Sequence, residues 1–413
     1  MGSVRVTVVT SGHLSTCPRM LKAADAFAAA GHHVRVVATV HEPWATETDR
    51  DVRSRRAWPV DAVDYRRGQG LTYWRSGVRY HFARRVVGAV GPERAPWAAA
   101  ARAFGRVHSE IVAAATRAPA DVIYGGTTGA LAAVAESARR LGVRFGVDFE
   151  DLHSAETAGP GAAAVDALAS RIERDVSARA DFVTTSSDAI ATAYRRAYGI
   201  DPLVIHNAFP LPSTPPDFGR TSDTKLRLYW FSQTISPGRG LEEIVAAIGL
   251  ADIPADLDVR GRAVDAYAAR MTELAHATAP RLTLRFDAPI SPDAIIDSCR
   301  PYDIGLAIER TDVRNRALCL TNKALTYPLA GLAVVLTETE GQRAFGLDLG
   351  DGALMYRPGD VQTLARGLRR WHANAGLLVC AKRAAWHAAV TRWHWEHRDE
   401  RDALVRRMES AVS

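Results

Sequence analysis

Short apolar runs recur from one end of this chain to the other, and most give way to small or polar residues and then to a stretch with helical periodicity. Strand and helix in alternation specify a parallel sheet, because two parallel strands need a crossover and that crossover is usually a helix. In the first half the runs fall at residues 4–10, 31–40, 121–124, 144–148, 181–185 and 203–205, with an alanine-rich helix over 20–30. The strands run into "TSGHLST", "YGGTTG", "DFEDLHSAE" and "TSSD". In an open parallel sheet that C-terminal edge is where ligands bind.

With 413 residues the chain is too long for one core of ordinary size. The periodicity stops at residues 207–225, "NAFPLPSTPPDFGRTSDTK", which read as a stiff linker. A second alternating series follows in "LRLYWFS", "DLDVRG", "RLTLRF", "DIGLAI", "GLAVVL" and "GALMY". The organisation expected is a first domain over 1–212, a linker over 213–225, a second domain over 226–376 and a helical segment over 377–413 carrying Trp386, Trp393 and Trp395. Residues 72–117 have another texture: "YWRSGVRYHFARR" mixes aromatics and arginines at helical spacing. Such a stretch is most often a solvated helix face. Its functional reading is a peripheral membrane contact over 72–90.

Several function classes are excluded by what is missing. No GxGxxG follows the first strand, and the chain has no GxxxxGK[ST], no GxSxG and no HExxH. Four scattered cysteines, Cys17, Cys299, Cys319 and Cys380, fit a reducing cytoplasm better than a zinc site or a disulfide framework. No resident cofactor, metal or nucleic-acid partner is expected. The formal charge is +6, which suits an anionic ligand such as a phosphate. Only Lys22, Lys225, Lys323 and Lys382 among the 52 basic residues are lysine, so the excess of charge is mainly an arginine bias.

One of those lysines stands out. In "LTNKALTYPLAGLAVV" Thr321 has the chemistry of a helix N-cap, Asn322 and Lys323 open the first turn, and the Tyr327-Pro328 pair cuts the helix short. A cation in a first turn opposes the helix dipole unless an anion neutralises it. The plain alternative is a capped helix with Lys323 in water. Even as a diphosphate contact, a lysine at a loop-helix junction leaves no buried cavity when lost, so stability is expected to move little. A second cation, Arg239 in "YWFSQTISPGRGLEEI", sits where a glycine-containing loop meets a helix. Two cations at two helix mouths on one sheet edge suit a diphosphate. The third candidate is "VDFEDLHSAE", where Asp148, Glu150, Asp151, His153 and Glu156 follow a strand. Taken alone the segment reads as a polar loop with ordinary carboxylates; its functional reading is that His153, at the binding edge, orients a polar substrate.

Taken in order, "SGHLSTCPRMLKAADAFAAAGHHVRVV", "RADFVTTSSDAIATAYRRAYGIDPLVIHNAF", "FSQTISPGRGLEEI" and "TNKALTYPLAGLAVVLTE" resemble the GT-B glycosyltransferases, specifically retaining glycosyltransferase family 4. The likeness spans nearly the whole chain. It implies an α/β protein with two Rossmann-like domains facing a cleft and a last helix crossing back to the first domain. The implied reaction is retaining and metal-independent, moving a sugar from a UDP- or GDP-type donor to a glycan, a lipid-linked acceptor or a small natural product. On the donor side the resemblance implies Gly12, Gln233, Thr234, Gly238, Thr321, Asn322 and Thr326, with Pro289 and Ile290 at the nucleobase. Arg239 and Lys323 fall at the diphosphate, and His153 beside the transferred sugar. On the acceptor side it implies His13, Gly126, Thr127 and Asp151. Gln233 and Thr234 stand where the usual pattern has a loop glycine and arginine, and Leu318 and Thr326 where it has paired glutamates. Glu309 is the nearest carboxylate to take over the sugar hydroxyls. Rival readings on the same fold are an epimerase, a non-catalytic sugar-nucleotide-binding subunit, or an enzyme joining sugar to nitrogen or sulfur of a metabolite.

Overall fold

The computed structural model describes residues 2–218, 224–264 and 266–413. The chain divides into two compact units, Met1–His206 together with Arg398–Ser413, and Asn207–His397. The first is built on seven parallel strands: β1 (Arg5–Thr10), β2 (His33–Val40), β3 (Val60–Asp64), β4 (Val122–Gly126), β5 (Arg144–Phe149), β6 (Phe182–Thr185) and β7 (Leu203–Val204), in the order β3-β2-β1-β4-β5-β6-β7. The second has six: β8 (Leu226–Ile235), β9 (Ala255–Ala263), β10 (Leu282–Asp287), β11 (Ile304–Ala307), β12 (Ala333–Thr337) and β13 (Ala353–Tyr356), in the order β10-β9-β8-β11-β12-β13. Both are Rossmann-like. In each, the strand order reverses beside the first strand, between β1 and β4 and between β8 and β11, and such a reversal opens a crevice at the C-terminal edge.

The buried strands form because both their faces are covered. All five residues of β12, "AVVLT", are buried, and a parallel strand covered on both sides reads as a continuous apolar run. Along β8 the period of two sends Leu228 and Trp230 into one core layer and Tyr229 and Phe231 into the other. Gly305 in β11 lies directly under the ring of Tyr327; a Cβ there would stand 2.0 Å from the ring. That close approach seats helix Asn322–Leu329 on the sheet.

Three elements differ from the sequence reading. β3 escaped it because this edge strand buries only Val63, so it has no apolar run to detect. β8 runs on to Ile235 through a bulge between Phe231 and Thr234, so Gln233 and Thr234 belong to the strand and not to the loop after it. Helix Ala375–Thr391 stays in the second unit, as does Trp393, whose indole N–H donates to Asp348 at 2.5 Å. The part of the tail grouped with the first unit begins at Arg398. Of the proline-rich stretch, residues 219–223 lie outside the described residues. The part before them rests on the second unit: Arg300 donates to the Thr214 carbonyl at 2.7 Å, and Pro216 packs at Gly331.

Candidate functional site

In the second unit, the crevice between β8 and β11 gathers the predicted cations. The loop after β8 turns through Gly238 and Gly240, both at positive φ, which places half-buried Arg239 just ahead of helix Leu241–Ala251. Gly240 packs on Ile308, the residue after β11, and Arg316 donates to the Gly238 carbonyl at 2.6 Å. Glu309 follows Ile308. It is buried, and its N–H donates to Thr337 Oγ1 at 2.8 Å. Its carboxylate holds Lys323 Nζ at 3.0 Å, while Nζ lies 5.5 Å from the Trp230 ring centroid. Lys323 is only 5% exposed, so the expectation that it stands at the surface and can be lost without cost does not hold. Losing it would leave a buried carboxylate unpaired.

Helix Asn322–Leu329 ends differently from the expectation as well. Pro328 lies inside it. The chain leaves the helix at Gly331, whose φ of +80° lets the N–H of Leu332 reach the Tyr327 carbonyl at 3.0 Å. At the other end Thr321 is the N-cap, yet its side chain makes no cap hydrogen bond and its buried Oγ1 has no partner among the described residues. The first-turn N–H groups are therefore not satisfied by that hydroxyl. Asn322 is half-buried. Thr326 is fully buried and donates to the Asn322 carbonyl at 2.6 Å, so its hydroxyl serves the helix. Gln233 and Pro289 are exposed, and Thr234 and Ile290 half-buried. The turn after β10 is braced by Arg260, which donates to the Ala288 carbonyl at 2.7 Å and pairs with Asp287 at 3.0 Å.

In the first unit the register aligns Thr10, Gly126, Asp148 and Thr184 in one row near the C-terminal edge. Here the loops after β1 and β4 meet. Thr127 Oγ1 lies 2.8 Å from Ser11 Oγ and accepts from the Ser11 N–H at 3.0 Å. Thr127 has φ +74° and ψ +146°, a region almost reserved for glycine; a β-branched residue held there is strained. Gly12 passes so close to Cys17 that a Cβ would meet its sulfur at 2.6 Å. His13 is buried with both ring nitrogens in use: Nδ1 contacts Asp49 at 2.7 Å, and Nε2 faces the N–H groups of His41 and Glu42 at 3.0 and 2.8 Å. It fixes the loop, and its side chain has no nitrogen left for an acceptor.

His153 opens a short turn after β5. Its Nδ1 lies 2.9 Å from Glu156 Oε1 and 3.3 Å from Thr128 Oγ1. Buried Nε2 has no partner among the described residues. Burial lowers the pKa of such an imidazole, but Glu156, with Glu173 and Asp151, outweighs it and the value rises to about 9. A charged imidazole with one unused N–H is a donor waiting for an oxygen. The turn itself is held by fully buried Glu173, which accepts from the Ser154 N–H at 3.0 Å and from the hydroxyls of Tyr194 and Tyr198 at 2.6 and 2.8 Å. Asp151 is half-buried beside it.

The cations of a buried charge cluster behind this edge, Arg19 and Lys22, were not read as part of the site. Arg19 grips Asp148 through Nε and Nη2 at 2.6 and 2.7 Å and donates to the Thr185 carbonyl at 2.9 Å. Lys22 is pushed down to about 7 by burial and by Arg19. Glu150 is pushed up to about 7 by desolvation and by Asp151. The signal was available: Arg19 stands in the first turn of helix Pro18–Ala29, the same misplaced cation that drew attention to Lys323. Gln342 was also missed, and no signal marked it. Its amide donates at 3.1 Å to the carbonyls of Ala307 and Thr337, tying the ends of β11 and β12 together.

Two parallel Rossmann-like sheets, each with its crevice at the strand-order reversal, define a GT-B fold. Solved structures bear this out over nearly full length. Sucrose-phosphate synthase from Thermosynechococcus elongatus is similar at 14% identity, covering 98% of each chain, with a TM-score of 0.64. Anabaena HepE in complex with UDP-glucose is similar at 16% identity, covering 99% of each, with a TM-score of 0.67. An S. aureus TarM variant in complex with fondaparinux, alpha-GlcNAc-glycerol and UDP is similar at 6% identity, covering 99% of this chain and 100% of that one, with a TM-score of 0.67. Identity at this level carries the fold. Residues 18–208 match the family described as glycosyl transferase 4-like domain, and that match with the fold supports a glycosyltransferase. No curated protein matches the chain.

Proposed function

We propose that the protein transfers a sugar with retention of anomeric configuration, without a metal ion, from a nucleoside diphosphate donor bound by the second unit. The observation that carries the reading is the mouth of helix Asn322–Leu329, where Lys323 is held by Glu309 and the cap hydroxyl goes unused. A diphosphate there meets helix N–H groups and a fixed cation, and Arg239 on the neighbouring loop supplies a second. Glu309 positions Lys323 and is the carboxylate proposed to accept from sugar hydroxyls, in place of the paired glutamates. In the reaction the bond from the anomeric carbon to the phosphate oxygen breaks. The acceptor oxygen bonds to that carbon from the same face, and its proton passes to the departing phosphate. Charge builds on the leaving group, so cations and N–H groups already in position lower the barrier. His153, with its unused Nε2, is proposed to donate to a hydroxyl of the transferred sugar.

A uridine diphosphate donor is favoured over a guanosine one, because HepE is solved with UDP-glucose and with UDP, and TarM with UDP. For the acceptor, we favour one presented at a membrane surface. No described helix is long and apolar enough to cross a membrane, so the contact proposed for residues 72–90 is peripheral. The test is a panel of nucleotide-sugars read first by thermal shift, then by turnover in excess EDTA with the product's anomeric configuration read by NMR. A stabilising UDP-sugar and retained configuration are expected. Inverted product, or activity lost in EDTA and restored by Mg²⁺ or Mn²⁺, overturns the mechanism.

A further inference from the structure

Helix Thr72–Val90 carries much of the large apolar surface that the first unit leaves exposed. Leu71, just ahead of it, Trp74, Val78 and Phe82 are 64%, 61%, 70% and 67% exposed. They recur at three- and four-residue steps and so line one ridge. The opposite face is fixed to the fold: Ser76, Gly77, Ala83 and Val87 are buried, and Arg106 stacks on Tyr73 at 4.3 Å while donating to its carbonyl at 2.9 Å. The ridge is thus the outer side of a held helix.

Its charge is one-sided. Between Asp64 and Glu93 the chain has six arginines and no acidic residue. Arg66 and Arg79 pair with Asp64 and Glu110. Arg67, Arg75 and Arg85 are exposed and have no ion pair among the described residues. By helical geometry Arg75 and Arg85 flank the apolar ridge.

We infer that this ridge is a docking surface for an anionic lipid bilayer. A row of large apolar side chains with a tryptophan suits the interface between headgroups and acyl chains, and arginines beside it extend into anionic headgroups. A second copy of the chain fits less well, because a two-fold contact would set these arginines against themselves with no acid between them. The helix is also tied to the edge where the loops after β1 and β4 meet, the side proposed for the acceptor. Arg106, which holds Tyr73, adjoins Gly105, and Gly105 packs against the backbone of Gly129, two residues past strained Thr127. The inference rests on the peripheral contact proposed above, and vesicle binding and sugar transfer are read separately, so failure of one is distinguishable from failure of the other.

The test is flotation of the full chain with vesicles of phosphatidylcholine alone and with about one-third phosphatidylglycerol. Wild type is expected to partition roughly tenfold or more in favour of the anionic vesicles, and to lose that preference at high salt. Trp74→Ala with Phe82→Ala should weaken binding about tenfold, and Arg75→Gln with Arg85→Gln should remove the anionic preference. Melting temperatures should not move, since all four side chains are exposed. Three outcomes overturn the inference: wild type that floats with neither vesicle, variants that bind as wild type does, or a dimer in sedimentation that the apolar variants break while no vesicle is bound.

Discussion

At the scale of single residues, Lys323 binds two issues together. It is buried against Glu309, so Lys323→Ala should cost about 3–5 kcal/mol of stability and also lower kcat by roughly 10²–10³. The two effects separate in the double variant Lys323→Met with Glu309→Gln, which removes both charges. Urea unfolding should recover most of the lost stability while turnover stays low; recovery of turnover too would show that the cation takes no part in the chemistry. His153 makes a pH prediction. Its folded pKa of about 9 lies above the usual value of about 6.5, so its contribution to stability is fully present below about pH 6.5 and is lost as pH rises through about 9. His206, raised to about 9 by Asp188 and Glu400 against the effect of burial, behaves alike. Stability of His153→Gln measured across this range should fall less steeply than that of wild type, and the difference cancels groups such as Lys22 that titrate with the opposite sign. An unchanged slope would show that the Glu156 contact does not hold the proton.

At the scale of elements, the helix that carries Lys323 depends on how it stops. Gly331 is at φ +80°, and a Cβ there would stand 2.4 Å from Pro216. Gly331→Ala combines backbone strain with overpacking and should destabilise by about 2–4 kcal/mol, read as a lower urea midpoint. The tail is held in the first unit by Glu400, which accepts from the His206 N–H at 2.7 Å and contacts His206 Nδ1 at 2.8 Å. Where the loops after β1 and β4 meet, Thr127 sets strain against the Ser11 contacts. Thr127→Gly relieves strain of about 1–3 kcal/mol and loses hydrogen bonds of about 1 kcal/mol each. Stability should therefore change little while turnover falls, because Ser11 is no longer held at the edge. Unchanged turnover would make that strained residue a matter of folding alone.

At the scale of the molecule, the reaction as proposed draws on both units, and hydrogen exchange can test this directly. Saturating nucleotide-sugar is expected to slow exchange at least about tenfold in residues 236–240 and 321–326 of the second unit and, with the sugar attached, in 150–156 of the first. Free UDP should protect only the second-unit segments. Protection confined to the first unit would reverse the assignment of the donor side.

The sequence by itself determined the two-sheet architecture, because parallel strands covered on both faces must read as apolar runs such as "AVVL", and each crossover must read as a helix. It also singled out Lys323, since a cation in a first turn is conspicuous without knowing its partner, although Arg19 in a like position was passed over. Its failures share a cause. β3 is half exposed and has no apolar run, the bulge that keeps Gln233 and Thr234 in β8 depends on pairing with β9, and the role of Gln342 exists only between two strand ends. Tertiary structure alone decided that Lys323 faces Glu309 instead of water, that His13 spends both nitrogens on Asp49 and the backbone after β2, and that Glu173 supports the His153 turn from nineteen residues beyond Ser154. A helix mouth is a local property and is written in neighbouring residues. The partner of a buried charge is set by which strands lie side by side, and that choice leaves no local periodicity to read.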